Sequence, residues 1–288
     1  MPSVARDLLS VFKLRIGVAI AISALAGLAV TPGANLASWE IATLALGILL
    51  SAASAGAFNQ FVERDLDAQM PRTQGRPFVS GRFKAGNAWL FVIVALLGVA
   101  VALTGYVLNA WVAFYAFLGA FVYGVVYTVW LKRRSSLNIV IGGLSGSFAV
   151  LAGSAAVDPV LAPSAIALAV VLFLWTPPHF WSLAMYLRQE YSAAAVPMLP
   201  VVVGDVRAAW IILGHTVGVL STSIVPVLFG MGWFYLICAL AGGLFFLKRS
   251  IALVQEPGPE RAIANFHASL IQLSLLLVGA IADRWIAF

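Results

Sequence analysis

Three oxygen-bearing side chains, Asn59, Glu63 and Asp67, recur four residues apart in one short stretch of this 288-residue chain. On a helix, positions i, i+4 and i+8 share a face, so the three form a stripe while Asp65, two residues off, points elsewhere. Such oxygens suit a hard cation, and Mg²⁺ is usually held by one or two carboxylates plus substrate phosphates. Arg72 and Arg76 follow, again four apart, and their guanidinium forks match phosphate or carboxylate oxygens. The stripe and the arginines predict a site for a metal diphosphate. The plainer alternative is a solvated helix end in which Glu63, Arg64, Asp65 and Asp67 neutralise one another. Asn59 weighs against it, because it lies deeper, inside an apolar run where polar groups are expensive and usually functional.

A second group of residues with chemistry runs Trp175-Thr176-Pro177-Pro178-His179-Phe180-Trp181. Prolines inside an apolar helix free backbone carbonyls and kink it, so a break is expected here, with His179 a candidate ligand or proton donor. A structural hydrogen-bonding role for a single membrane histidine is equally open. Further on stand Arg188, Glu190 and Tyr191, and Glu190 is expected to face the first acidic stripe across the fold. Lys132-Arg133-Arg134 precede Asn138 and the Gly142-Gly143 pair; at least one of these cations reads as a topological anchor. His215 and His267 sit among apolar residues and read as structural. Cys238 is the only cysteine, which excludes an intrachain disulfide and a cysteine-based metal site.

The elements that must position these residues are membrane helices. The chain is 62% hydrophobic and 10% charged, with a mean hydropathy of +1.00, whereas soluble domains carry roughly 25% charged residues. A helix needs about 20 apolar residues to cross the hydrocarbon. Nine spans are predicted on that length, near 14–31, 41–62, 88–107, 110–131, 138–157, 160–186, 207–229, 231–249 and 264–282. Sixteen of the seventeen Lys and Arg residues fall in every second gap or at the span edges that border it, the segment before the first span included, and Arg284 alone follows the ninth. This alternation puts the N-terminus in the cytosol and the C-terminus outside. It also accounts for the net charge of +6 without nucleic acid. The first fifteen residues carry no transit-peptide character, so a bacterial inner membrane is expected, with the lipid bilayer as solvent and residues 1–288 as a single transmembrane domain. Outer turns are short, while the inner connections at 63–87 and 187–206 are long and hold most of the polar chemistry. Spans two to four and six to eight follow the same order of long and short connections, which hints at an internal duplication.

The residues Asn59-x3-Glu63-x3-Asp67, followed by Arg72-Thr73-x2-Arg76-Pro77, resemble the first aspartate-rich motif of the UbiA-type intramembrane prenyltransferases. The Thr176-Pro177-Pro178-His179-Phe180-Trp181 run, the Val196-Pro197-Met198-Leu199-Pro200 run and the segment from Lys132 to Gly143 are similar to the haem-farnesylating branch of that superfamily. The resemblance spans nearly the whole chain. It implies an all-α bundle of nine transmembrane helices around a central cavity, and Mg²⁺-dependent transfer of a farnesyl group from farnesyl diphosphate to a vinyl group of haem B. It further implies that Asn59, Glu63, Asp67 and Glu190 hold the metal, while Arg72, Arg76 and Lys132 take the diphosphate charge. Tyr123, Tyr127 and Trp175 would stabilise the allylic cation; His179, Arg133 and Asn138, together with Trp175 and Tyr127, would contact haem. Some arginines would serve haem propionates instead, and the sequence does not divide them. A haem A synthase or a terminal oxidase assembly are the protein partners implied.

The chain departs from the family pattern in places. Glu63 and Glu190 stand where Asp is usual, and each lengthens the arm by one methylene. Ala194 stands where the wider superfamily often has another Asp, Lys13-Leu14-Arg15 replaces Lys-Pro-Arg, and Ser136-Leu137 replaces Pro-Gln. Two other functions compete with this one. A prenyltransferase for another acceptor, such as an aromatic quinone precursor, fits the acidic motif but not the branch-specific runs. A transporter would line a path through both membrane faces, whereas the ionisable residues here gather at one.

Overall fold

The computed structural model describes residues 4–286, whose regular structure is all helical, with no strand among them. In chain order the helices are α1 (Val4–Val11), α2 (Leu14–Ala29), α3 (Ser38–Val62), α4 (Arg64–Asp67), α5 (Asn87–Val107), α6 (Ala110–Phe121), α7 (Asn138–Gly142), α8 (Leu144–Val157), α9 (Pro163–Tyr186), α10 (Arg188–Ala193), α11 (Leu199–Val203), α12 (Asp205–Ile224), α13 (Trp233–Gln255) and α14 (Pro259–Ile286). A π-helical segment, Val122–Leu131, continues α6, and a 3-10 segment, Val225–Phe229, continues α12.

Among the described residues, eight helical stretches are long and apolar enough to cross a membrane, and a ninth is reached if α1 and α2, bent by 47°, count as one span. The protein is therefore a multi-span membrane protein. The bend falls at Lys13, whose backbone is left-handed at φ 49°. That conformation is uncommon for a residue with a Cβ, so the packing around it must hold it in place. The expected break at Pro177-Pro178 is absent: α9 runs through both prolines to Tyr186. Neighbouring helices pack along α9 and let it tolerate the missing N–H groups. The last two helices outrun the apolar windows that marked them: α13 continues past Arg249 to Gln255, and α14 begins at Pro259, ahead of Arg261. Hydropathy marks the hydrocarbon slab, whereas backbone hydrogen bonding continues past it.

Close helix contacts rest on small residues, since lipid supplies no hydrophobic drive between helices. At the crossing of α2 and α8, a Cβ on Gly27 would fall 2.1 Å from the Val150 carbonyl oxygen, and one on Gly153 would fall 1.8 Å from that of Ala24. Only glycine allows the two backbones to meet this closely. Buried hydroxyls donate to carbonyls of neighbouring helices: Ser51 to Ala116 at 2.7 Å, Ser54 to Ile93 at 2.7 Å and Ser147 to Ala169 at 2.8 Å. The outer face presents Phe91, Tyr106, Trp130 and Trp233 to the surroundings, as lipid contact requires. The ends of α3, the π-helical segment and α9 lie at one end of the bundle, the end that carries the Lys and Arg clusters.

Candidate active site

Helix α3 stops at Val62, and Glu63 caps it before α4 begins. Despite that interruption the stripe survives. Asn59 and Glu63 are joined by a hydrogen bond from Asn59 Nδ2 to Glu63 Oε2 of 2.8 Å, and Asn59, Glu63 and Asp67 are all buried. Asp65 turns outward, as its spacing predicts. Its two oxygens accept from Arg133 at 2.7 Å each, and that guanidinium holds the Asp65 carboxyl down to about 2.

Cations close over the buried carboxylates. Lys132 Nζ donates to Glu63 Oε2 at 2.6 Å, and Arg76 pairs with Asp67 at 2.5 Å. Burial pulls the Lys132 ammonium below the ordinary lysine value, against the upward pull of the Glu63 carboxylate. Arg72 lies at the rim. Its Nη2 donates to the Tyr191 hydroxyl at 3.2 Å, and its Nε is 3.7 Å from Glu190. Lys13 reaches in from the bend between α1 and α2, donating to Asn59 Oδ1 at 2.5 Å and to the Tyr123 hydroxyl at 3.1 Å.

The wall opposite α3 is the π-helical segment. Its widened turn is visible where Lys132 N donates to Tyr127 O at 2.9 Å, five residues back. π-helical turns occur mostly as single-turn insertions and often at functional sites; this one is ten residues long. It stacks Tyr123 on Tyr127, with centroids 5.5 Å apart at 21°. It also places Thr128, which accepts from Asn59 Nδ2 at 3.0 Å and donates to Tyr123 O at 2.8 Å. Tyr127 leans on Gly142, where a Cβ would meet its ring at 2.9 Å, and Thr176 of α9 leans on Gly143 at the same distance. The glycine pair thus brings the tyrosine wall against α9. Asn138 is fully buried; its Nδ2 donates to Lys132 O at 3.2 Å, and its Oδ1 has no partner.

The arrangement fits a hard divalent cation. Glu63 Oε1 is buried without a hydrogen-bond partner, and the side chains of Asn59 and Asp67, which share its stripe, are buried as well. Among the described residues, however, no three His, Cys, Asp or Glu side chains converge on one point. Glu63 and Asp67 are engaged with Lys132 and Arg76, and Glu190 stands with Arg72. The structure therefore brings Asn59, Glu63, Asp67, Arg76 and Lys132 together, and sets Arg72 and Glu190 at the rim. It leaves Arg133 outside with Asp65. Trp175 and His179 lie on α9, stacked on each other at 4.3 Å. Sequence reasoning missed Lys13, Thr128 and Tyr191 as neighbours of the site. Lys13 read as a topological charge, and only its contacts give it another role.

The profile of the UbiA prenyltransferase family matches residues 20–276. Protoheme IX farnesyltransferase 2 of Paramagnetospirillum magneticum is 55% identical over 280 residues, which cover 97% of each chain. Protoheme IX farnesyltransferase 1 of Cenarchaeum symbiosum is 39% identical over 286 residues, covering 97% of this chain and 96% of the relative. A UbiA homolog from Archaeoglobus fulgidus, solved bound to DMAPP and Mg²⁺, superposes with a TM-score of 0.72 at 15% identity, covering 97% of this chain and 99% of that one. A structure of digeranylgeranylglyceryl phosphate synthase gives a TM-score of 0.78 at 18% identity, covering 96% and 99%. At those identities the two solved structures speak for the fold alone.

Proposed function

Since the chain belongs to the UbiA prenyltransferase family, we propose that it transfers a farnesyl group from farnesyl diphosphate to a vinyl group of haem B, giving haem O and pyrophosphate. The observation that carries the reading of the acceptor is the 55% identity, over 97% of both chains, to a protein named protoheme IX farnesyltransferase 2. The diphosphate half rests on the buried Asn59, Glu63 and Asp67 stripe under a canopy of cations.

Asn59, Glu63 and Asp67 would hold Mg²⁺, with Glu190 completing the set from the rim, and the bound ion would supply Lewis acidity to the leaving diphosphate oxygens. Lys132, Arg76 and Lys13 surround those carboxylates and would meet the negative charge that grows on pyrophosphate as the allylic C–O bond breaks. Arg72 would do the same from the rim. Tyr123 and Tyr127 turn ring faces toward Lys13 and Lys132, whose ammonium groups lie 5.5 Å and 5.8 Å from the ring centroids. Rings that accept a cation in this way would also stabilise an allylic cation, by about 2 kcal/mol or more when desolvated. The apolar bundle would hold the farnesyl chain and limit early quenching by water. Attack by the haem vinyl carbon forms the new C–C bond, and water then supplies the hydroxyl oxygen and releases a proton. Trp175, His179, Arg133 and Asn138 are assigned to haem. The alternating basic gaps support a cytosolic N-terminus, an outer C-terminus and a bacterial inner membrane, with a haem A synthase or terminal oxidase assembly as the user of the product.

The test is mass spectrometry of haem extracted after incubating purified protein with haem B, farnesyl diphosphate and Mg²⁺. A hydroxyethylfarnesyl haem that disappears with EDTA is the expected result. Farnesyl transfer to an aromatic acceptor but never to haem would keep the family and overturn the acceptor.

A further inference from the structure

The imidazole of His179 is clamped. Trp175 stacks on it with centroids 4.3 Å apart at 18°, and Phe266 stacks with centroids 4.5 Å apart at 25°. Two rings so close and so nearly parallel to the imidazole cannot share one face of it, so both broad faces are covered. Phe180 adds an edge contact at 4.9 Å. The ring can act only through the nitrogens on its rim.

The hydrogen bonds decide which nitrogen does so. Nδ1 lies 2.7 Å from Ser269 Oγ. A serine hydroxyl has a single proton to give, and that of Ser269 goes to the Phe266 carbonyl at 2.6 Å. Ser269 Oγ is therefore the acceptor toward His179, and Nδ1 carries the proton. In the neutral ring the lone pair then belongs to Nε2, to which no protein group among the described residues donates. Ser269 is itself fixed, because its carbonyl accepts from the Trp175 indole at 2.9 Å. One tryptophan thus packs the histidine and anchors the serine that sets its tautomer.

We infer that His179 Nε2 is the axial ligand to the iron of the haem substrate, and that Ser269 is the positioning residue that presents it. The inference rests on the proposed haem farnesylation and deepens it. A ligating histidine generally donates its other ring N–H to an oxygen acceptor, which fixes ring orientation and raises basicity; here that acceptor is Ser269. Depth agrees with two substrates held at two levels. His179 lies seven residues before the end of α9 at Tyr186, about 10 Å down the helix at 1.5 Å per residue. Glu63 and Asp67 lie at the very end of the bundle. Thr176, one turn from His179, abuts Gly143, next to the glycine that receives Tyr127. Haem ligated on α9 therefore lies beside the tyrosine wall, where a prenyl cation would form. Coordination needs only the Nε2 lone pair, with no oxidant or other co-reactant.

The experiment titrates ferric haem B into the purified full-length protein and follows the Soret band, then records the iron–imidazole stretch of the ferrous complex by resonance Raman. A histidine-ligated spectrum is expected. It should be lost in His179→Gly and regained on adding imidazole. Ser269→Ala should bind haem roughly 10-fold more weakly and lower the stretching frequency, and Ser269→Thr should restore both. An unchanged spectrum in a folded His179→Gly protein would overturn the ligand assignment while leaving haem as the acceptor. Unchanged affinity and frequency in Ser269→Ala would overturn the positioning role. Absence of any Soret change in the unmodified protein would overturn the inference and the haem reading together.

Discussion

The Lys13 ammonium donates to the side-chain oxygen of Asn59 and to the Tyr123 hydroxyl, joining the bend between α1 and α2 to the acidic stripe of α3 and to the π-helical wall. The backbone at Lys13 is left-handed, φ 49°, at that same bend. Charge-assisted hydrogen bonds are worth about 1.5–3 kcal/mol. Lys13→Met is therefore expected to raise KM for farnesyl diphosphate by roughly ten- to a hundredfold, with Lys13→Arg recovering part of the loss. Steady-state kinetics at saturating haem would decide this, and an unchanged KM would leave Lys13 a topological charge.

Glu63 is 1% exposed and Lys132 closes on it at 2.6 Å. Removing one partner of a buried pair strands the other and costs about 3–5 kcal/mol. Glu63→Gln should lower the thermal unfolding temperature and abolish turnover, and Asp67→Asn should do the same through Arg76. Glu63→Asp keeps the charge, so it should fold and remain active, with a shifted Mg²⁺ requirement read from the Mg²⁺ dependence of turnover. Full activity of Asp67→Ala at ordinary Mg²⁺ would sink the metal assignment.

Gly153 admits no side chain, since a Cβ there would lie 1.8 Å from the Ala24 carbonyl oxygen. Backbone cannot step aside as a flexible side chain can. Gly153→Ala should therefore exceed the usual overpacking cost of about 1–3 kcal/mol, whereas Gly214→Ala, with open space around its Cβ, should unfold at the temperature of the unmodified protein. Differential scanning of both variants in detergent tests the contrast.

The pair between Asp65 and Arg133 sets a pH dependence whose sign is fixed. The folded carboxyl is held down at about 2, against about 3.9 when unfolded. Its stabilising contribution is complete above the unfolded value and is lost as the pH falls through the folded one. Both side chains are exposed by more than a third, and solvent screens such pairs, so the effect is small. The unfolding-temperature gap between the unmodified protein and Asp65→Asn should be constant from about pH 5 to 8 and narrow below about pH 4. A gap that widened on acidification would refute the pairing.

Much of this protein was legible in the sequence alone because the governing forces are local. The cost of exposing polar groups to lipid marks each span along the chain, so the spans and the alternation of Lys and Arg could be counted directly. The four-residue spacing put Asn59, Glu63 and Asp67 on one face and turned Asp65 away, because helical periodicity needs no tertiary partner. Three matters waited for the folded chain: the pairing of Lys132 with Glu63 and Arg76 with Asp67, the entry of Lys13, and the Ser269 acceptor that assigns the His179 tautomer. Each joins side chains brought together only by helix packing, and no local period encodes which charge meets which. The uninterrupted α9 teaches the same lesson from the other side. Proline chemistry predicts a break, and the neighbouring helices remove the need for one.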